Sequence, residues 1–234
     1  MNKSSARSCP LCGGAAGERS FPYATRFNGV NFDYWRCQAC SGVFVDPIPD
    51  TETFAKMYAK SAYHDVHYVE CESPHYRESA ALLTKFLPAG ASVLDYGCGL
   101  GLFLRALDEQ GFSATGVEFD REAAEMAAKV SRCPAYALEE LAERQAEASL
   151  DALHLGDVLE HLGDPAKTLD ALLSLVKPGG LLFVEGPLEN NSSPVYWSAR
   201  FAGAMKRFLK RGFVGSGAPT HLLRVDGAQQ QAFF

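Results

Sequence analysis

The spacing of apolar residues changes period several times along this chain, and each change predicts an element. Val93-Leu94 closes an apolar strand that meets Asp95 and then glycine at three alternate positions, and Leu102 to Leu107 follow with the apolar content of a helix. Ala114 to Phe119 reads as the next strand, and Asp120 as the N-cap of a helix that holds Ala123, Ala124, Ala127 and Val130. Leu150 to Leu155 is a third strand. Asp164 and Pro165 then suit an N-cap and first helical position, Leu169, Leu172, Leu173 and Val176 recur at helical spacing, and Lys177-Pro178-Gly179-Gly180 stops that helix before a strand from Leu181 to Glu185. Strands alternating with helices predict an α/β fold. Outside this block, Thr53 to Tyr58 starts a helix after Asp46-Pro47-Ile48-Pro49-Asp50, and Val195 to Phe213 puts Trp197, Phe201, Met205, Phe208 and Leu209 on one helical face.

The turn between the first strand and helix carries the chemistry. Gly97, Gly99 and Gly101 let backbone approach a ligand that a Cβ would push away, and the helix start offers unpaired N–H groups. A dinucleotide fingerprint would read GxGxxG, whereas this one reads GxGxG behind Asp95. The pattern resembles motif I of the class I S-adenosylmethionine-dependent methyltransferases. Gly156-Asp157-Val158-Leu159-Glu160-His161-Leu162-Gly163-Asp164-Pro165 resembles the segment after the fourth strand of small-molecule members, and Val176 to Glu185 is also similar to that family. The matches cover about residues 76 to 185 and come in the family's order.

That resemblance implies a Rossmann-like, doubly wound, mostly parallel sheet and S-adenosylmethionine as methyl donor. With no pyrophosphate to bind, the turn would cradle an amino-acid tail and a sulfonium, for which nearby carboxylates are suited. Asp95, the backbone of Gly97, Cys98, Gly99 and Gly101, and Glu118 with Phe119 beside it form the expected cofactor site, Glu118 receiving the ribose hydroxyls. Asp157 and Glu160 bind cofactor or acceptor, or form a local polar network. The segment before the core in similar enzymes often folds over the cofactor, so Tyr63 and Tyr68 are candidates for its cover, whereas His64 and His67 read as solvated and Cys71 is assigned no function. Methyl transfer from a sulfonium needs positioning above all, but a hydroxyl or ammonium acceptor must also lose a proton. His161, past the fourth strand, and His221 are the candidate bases.

Cysteine usage adds a second module. Cys9-Pro10-Leu11-Cys12-Gly13 and Cys37-Gln38-Ala39-Cys40-Ser41-Gly42 are two CxxC knuckles joined by a stretch suited to a β-hairpin. Two such turns complete a tetrahedral site of four cysteine thiolates, for which zinc is the leading metal, and four protein ligands leave no open position, so its role would be structural. The expected division is a zinc-ribbon-like module over 1–48, a linker and cofactor-covering segment over 49–75, and a methyltransferase domain over 76–234 with a lid-like insertion at 187–218. Asp226 to Phe234 reads as the opening of the last family helix, so the resemblance implies that the final β-hairpin is absent here, the expectation being either a truncated product or a homodimer or other partner at the sheet edge.

At 234 residues with a 47% hydrophobic share, the chain can bury a proper core. The N-terminus leads to Cys9 without an apolar signal-like run and no stretch is long enough to span a bilayer, so a cytoplasmic setting is expected. A net charge of -6 disfavours a nucleic-acid partner, although Lys206, Arg207, Lys210 and Arg211 are locally basic. The reading is methyl transfer to a small molecule, such as a saccharide or natural-product intermediate. An RNA methyltransferase and a catalytically silent cofactor-binding scaffold are the alternatives.

Overall fold

The computed structural model describes residues 7–58, 74–191, 193–210 and 213–234. Tyr63, Tyr68, His64, His67, Cys71 and Arg211 lie outside the described residues. Contacts divide the chain into two units, one built from residues 54–158 and 167–186, the other from residues 1–53, Leu159–Ala166 and Pro187–Phe234.

The first unit is the α/β core. Its strands are β4 (Ser92–Tyr96), β5 (Ser113–Glu118), β6 (Ala135–Ala137), β7 (Leu150–Gly156) and β8 (Val176–Glu185), β1 to β3 preceding them in the chain. They form an all-parallel sheet in the order β6-β5-β4-β7-β8. The chain builds outward from β4 to β6 and then returns to β4's other side with β7. That reversal is the topological switch of a doubly wound sheet, where ligands bind outside the carboxyl ends of the strands. Val93, Leu94, Leu153 and Leu155 are fully buried, as strands covered on both faces require.

The helices follow the predicted signals. Leu102–Glu109 buries Phe103, Leu104, Ala106 and Leu107. Asp120 caps Arg121–Ser131 by accepting a hydrogen bond from the Ala123 N–H at 2.9 Å, and Ala123, Ala124 and Ala127 face the core. Pro165–Leu173 departs from expectation, because it ends three residues before Val176, and Val176 to Gly180 already belong to β8, with an irregularity in its pairing to β7 where Gly179 takes a φ of 79°. The Lys177 ammonium pairs with Asp151 on β7 at 2.5 Å, which ties this early part of β8 down.

The second unit is a five-stranded sheet in the order β10-β3-β2-β1-β9. Its N-terminal members are β1 (Ala16–Phe27), β2 (Val30–Cys37) and β3 (Val43–Asp46), the first two being the hairpin expected between the cysteine knuckles. The outer members come from the far end of the chain: β9 (Gly215–Ser216) runs parallel to β1, and β10 (Leu223–Arg224) runs antiparallel to β3. Helix Pro194–Leu209, capped by Ser193, packs here too. Gly203 sits where a Cβ would fall 2.8 Å from the Phe21 ring, Tyr196 meets Phe21 edge-on, and the Arg207 guanidinium lies over Tyr23. Contacts thus place residues 187–234 with the N-terminal module, whereas the sequence reading attached them to the methyltransferase domain. Helix Gly227–Phe233 forms as expected, with Asp226 and Gln229 in a reciprocal capping box.

Candidate cofactor and proton-transfer sites

At the carboxyl end of β4 the chain turns through Gly97, Gly99 and Gly101, all at positive φ (82°, 53° and 75°). Close packing explains two of these glycines. A Cβ on Gly97 would lie 2.5 Å from Val158, and one on Gly101 would lie 2.7 Å from the Ala127 carbonyl oxygen in the neighbouring helix. Gly99 has a different role, since its N–H donates to Glu118 Oε2 at 2.9 Å while Glu118 Oε1 accepts from the Phe119 N–H at 2.7 Å. Burial pushes the Glu118 carboxyl up, and those two N–H donors work against the push. The residue predicted to meet the ribose is therefore tied to the predicted turn. Phe119 is largely exposed, and its ring lies 6.2 Å from Tyr58, which stacks on Phe54. Tyr58 and Phe54 belong to the 49–75 segment in which Tyr63 was expected.

Asp95 has a role the sequence did not disclose. It is buried, and its Oδ1 lies 2.7 Å from His154 Nδ1 on β7. His154 Nε2 in turn lies 3.2 Å from Glu185 Oε2 on β8, and Glu185 Oε1 accepts the Ser79 hydroxyl at 2.7 Å. Phe103 and Phe183 flank the imidazole at 4.1 and 5.2 Å between centroids. Burial alone would push the imidazole down, but Asp95 and Glu185 reverse that and hold it at about 9. With carboxylates at both ring nitrogens, His154 satisfies both by donating from each, as an imidazolium. Asp157 stands nearby with φ 51°, and its N–H donates to the Glu185 carbonyl at 3.0 Å. Neither His154 nor Glu185 was singled out from sequence; a histidine inside an apolar strand was the available signal.

The two candidate bases meet in the other unit. His161 and His221 cross edge to face with centroids 4.8 Å apart. His161 Nδ1 lies 2.5 Å from the Thr220 carbonyl oxygen, and the Leu222 N–H donates to the Glu160 carbonyl at 2.7 Å, so backbone joins the two segments. His221 Nδ1 lies 2.8 Å from Glu189 Oε2, and Arg224 Nε is 3.5 Å from the same oxygen. Burial tends to raise the Glu189 carboxyl, but His221 and Arg224 outweigh it and keep it below the usual range. Glu160 is buried, with Oε1 3.9 Å from His161 Nε2. Glu189 was another residue the sequence reading missed.

In the same unit, Cys9, Cys12, Cys37 and Cys40 bring their sulfurs within 4.8 Å of one another. The Cys9–Cys40 and Cys12–Cys37 separations are 3.8 and 3.5 Å. A tetrahedral zinc at about 2.3 Å from each thiolate spaces the sulfurs by about 3.8 Å, so the donor set fits that ion. Burial pushes the Cys9 thiol up, while Cys37, where burial is outweighed by the N–H groups of Cys40 and Ala39, sits at about 7. Among the described residues, no helix is long and apolar enough to cross a membrane.

Comparison with known proteins agrees with this architecture. A family profile described as a methyltransferase domain matches residues 66–211. A ubiquinone biosynthesis O-methyltransferase from Xanthomonas axonopodis pv. citri is 34% identical over 134 residues, spanning 53% of this chain and 54% of its own. The corresponding protein of Idiomarina loihiensis is 38% identical over 160 residues, spanning 59% and 60%. The chain thus matches little more than half the length of these curated relatives. A solved S-adenosylmethionine-dependent methyltransferase from Methanosarcina mazei shares the fold, with a TM-score of 0.50 at 19% identity over 65% of this chain and 81% of its own. With a parallel switch-point sheet, a GxGxG turn tied to the carboxylate after the second core strand, and a family match across most of the core, the chain belongs to the class I S-adenosylmethionine-dependent methyltransferases.

Proposed function

We propose that this protein transfers a methyl group from S-adenosylmethionine to a hydroxyl of a small organic acceptor. The observation that carries the reading is the Gly99–Glu118 contact at the carboxyl end of the core sheet, which joins the glycine turn to the carboxylate that would bind the ribose. Bound there, the cofactor supplies a methyl already activated by a sulfonium, so the residues have mainly to bind and orient. The backbone of Gly97, Cys98 and Gly99 cradles the amino-acid tail, with Gly101 opening the helix behind it. Phe119 and Tyr58 offer aromatic surface. Asp95 is steadied by His154, and Asp157 borders the turn. His161 or His221 accepts the acceptor's proton.

The choice of oxygen as the methylated atom is supported by the O-methyltransferase relatives. A net charge of -6 supports a small molecule over RNA. Cys9, Cys12, Cys37 and Cys40 hold one structural zinc, whose four thiolates leave no coordination position for a substrate. Metal-binding thiolates, with Cys98 and Cys133 as further free thiols, suit a reducing cytoplasmic setting. Strand β8 pairs only with β7 among the described residues, and its other edge suits a strand from a second copy or another protein.

The test is calorimetric titration of zinc-loaded protein with S-adenosylmethionine and with S-adenosylhomocysteine, beside Glu118→Ala. Wild-type binding that weakens about tenfold or more in the variant supports the site, as loss of a charge-assisted hydrogen-bond pair would give. A folded wild type that binds neither compound overturns the reading. Binding without turnover over a panel of hydroxylated acceptors would favour the silent scaffold.

A further inference from the structure

We propose that Glu160, His161 and His221 form a binding site for a divalent first-row transition ion, with the Glu189 carboxylate beside them as a further donor. The inference goes beyond methyl transfer and does not depend on it, and every residue it uses lies within the second unit. One ligand atom from each of Glu160, His161 and His221 lies within 4.8 Å of the other two. Ligand atoms about 2.1 Å from one ion stand roughly 3.0 to 3.4 Å apart, so modest side-chain rotation brings these three onto one centre. Backbone joins the segments that carry them. The Leu222 N–H donates to the Glu160 carbonyl at 2.7 Å, and the Asn190 N–H donates to the Val225 carbonyl at 3.1 Å.

The imidazoles are set as ligands. A carbonyl oxygen only accepts, so His161 carries hydrogen on Nδ1, 2.5 Å from the Thr220 oxygen, and its Nε2 lone pair is the one towards Glu160 Oε1, 3.9 Å away. A metal-bound histidine is anchored in this way, its second ring nitrogen donating to a backbone carbonyl. His221 Nδ1 and Glu189 Oε2 stand 2.8 Å apart, yet that oxygen is buried and takes part in no hydrogen bond among the described residues. Neighbouring ligands of one ion sit like this, each lone pair aimed at the metal rather than at the other atom. Glu160 is buried as well, and the carboxylates supply the negative charge that a divalent cation requires. Two imidazoles select a transition ion over Mg²⁺ or Ca²⁺, which take oxygen ligands. A lone pair given to an ion cannot also take a proton, so ion binding and proton acceptance exclude each other at each imidazole.

The test titrates Mn²⁺ into full-length protein whose cysteine site is already loaded with zinc, and reads free Mn²⁺ by electron paramagnetic resonance. About one Mn²⁺ per chain is expected to bind without displacing zinc, and Co²⁺ should compete for the same place, as the order of divalent affinities requires. His161→Gln, His221→Gln and Glu160→Gln should each weaken Mn²⁺ binding by about tenfold or more, and Glu189→Gln by a smaller factor, with zinc content unchanged in all four. Bound Mn²⁺ should also broaden the two histidine ring signals in proton spectra that vanish in His161→Gln and His221→Gln. A chain that binds neither Mn²⁺ nor Co²⁺ outside the cysteine site, or whose affinity for them is unchanged in the two histidine variants, overturns the proposal. If Glu160→Gln does not fold, His221→Gln, at a partly exposed position, still decides it.

Discussion

A charged imidazole inside a parallel sheet must reveal itself in stability against pH, and His154 is such a group. Its Nδ1 and Nε2 lie 2.7 and 3.2 Å from Asp95 and Glu185, and the pair lifts it from an ordinary value of 6.5 to about 9. A rise from 6.5 to about 9, at 1.36 kcal/mol per pH unit, corresponds to about 3 kcal/mol favouring the folded state. A folded value above the unfolded one means the contribution is fully present below pH 6.5 and is lost as pH rises through about 9. His154→Gln keeps a similar volume but titrates at no pH in this range. The assay is urea unfolding of wild type and variant, followed by far-ultraviolet circular dichroism at intervals from pH 6 to 10. The difference in unfolding free energy should be about 3 kcal/mol larger at pH 6 than at pH 10, since contributions from other groups cancel between the two proteins. A difference that is flat across this range would show that His154 is neutral in the folded chain and that the charged Asp95–His154–Glu185 arrangement is wrong.

Three further outcomes follow from the same structure. Gly101→Ala puts a Cβ 2.7 Å from the Ala127 carbonyl at a φ of +75°, and should cost about 2 kcal/mol or more in urea unfolding; an unchanged midpoint would contradict the packing. Asp120→Ala removes the acceptor for the Ala123 N–H and should cost about 1 kcal/mol by the same measurement, while Asp120→Asn should recover most of it. Purified protein should carry about one zinc per chain by metal analysis, and Cys37→Ser should lose it along with hydrogen-exchange protection across β1 and β2. Full zinc content in that variant would place the metal elsewhere.

Local and non-local information differed sharply in how far they could be read from the chain. The Asp120 cap, the helix that opens after Asp226, the glycine turn and the cysteine knuckles each lie within a few residues of sequence, and each formed where its chemistry indicated. The end of Pro165–Leu173 did not, because a Val176 at helical spacing also fits the first position of a parallel edge strand, and pairing with Leu150 decides between them. The strand pairing of the last fifth of the chain was out of reach for a similar reason: the partners of Gly215 and Leu223 are Thr25 and Phe44, a separation no local pattern encodes.

The electrostatics show the same limit with more consequence for function. Asp95 read as a free carboxylate awaiting a cationic ligand, yet parallel pairing sets His154 beside it on β7, with Glu185 beyond it on β8. One carboxylate, one imidazolium and a second carboxylate sum to a single negative charge spread through the core, so part of the attraction attributed to Asp95 is already taken up within the protein. Among the described residues Glu118 accepts from the neutral N–H groups of Gly99 and Phe119, which leave its charge uncompensated when it is ionised. Glu118 is therefore expected to be the stronger determinant of cofactor affinity, and the loss in Glu118→Ala should exceed the loss in Asp95→Asn, by calorimetric titration with S-adenosylmethionine.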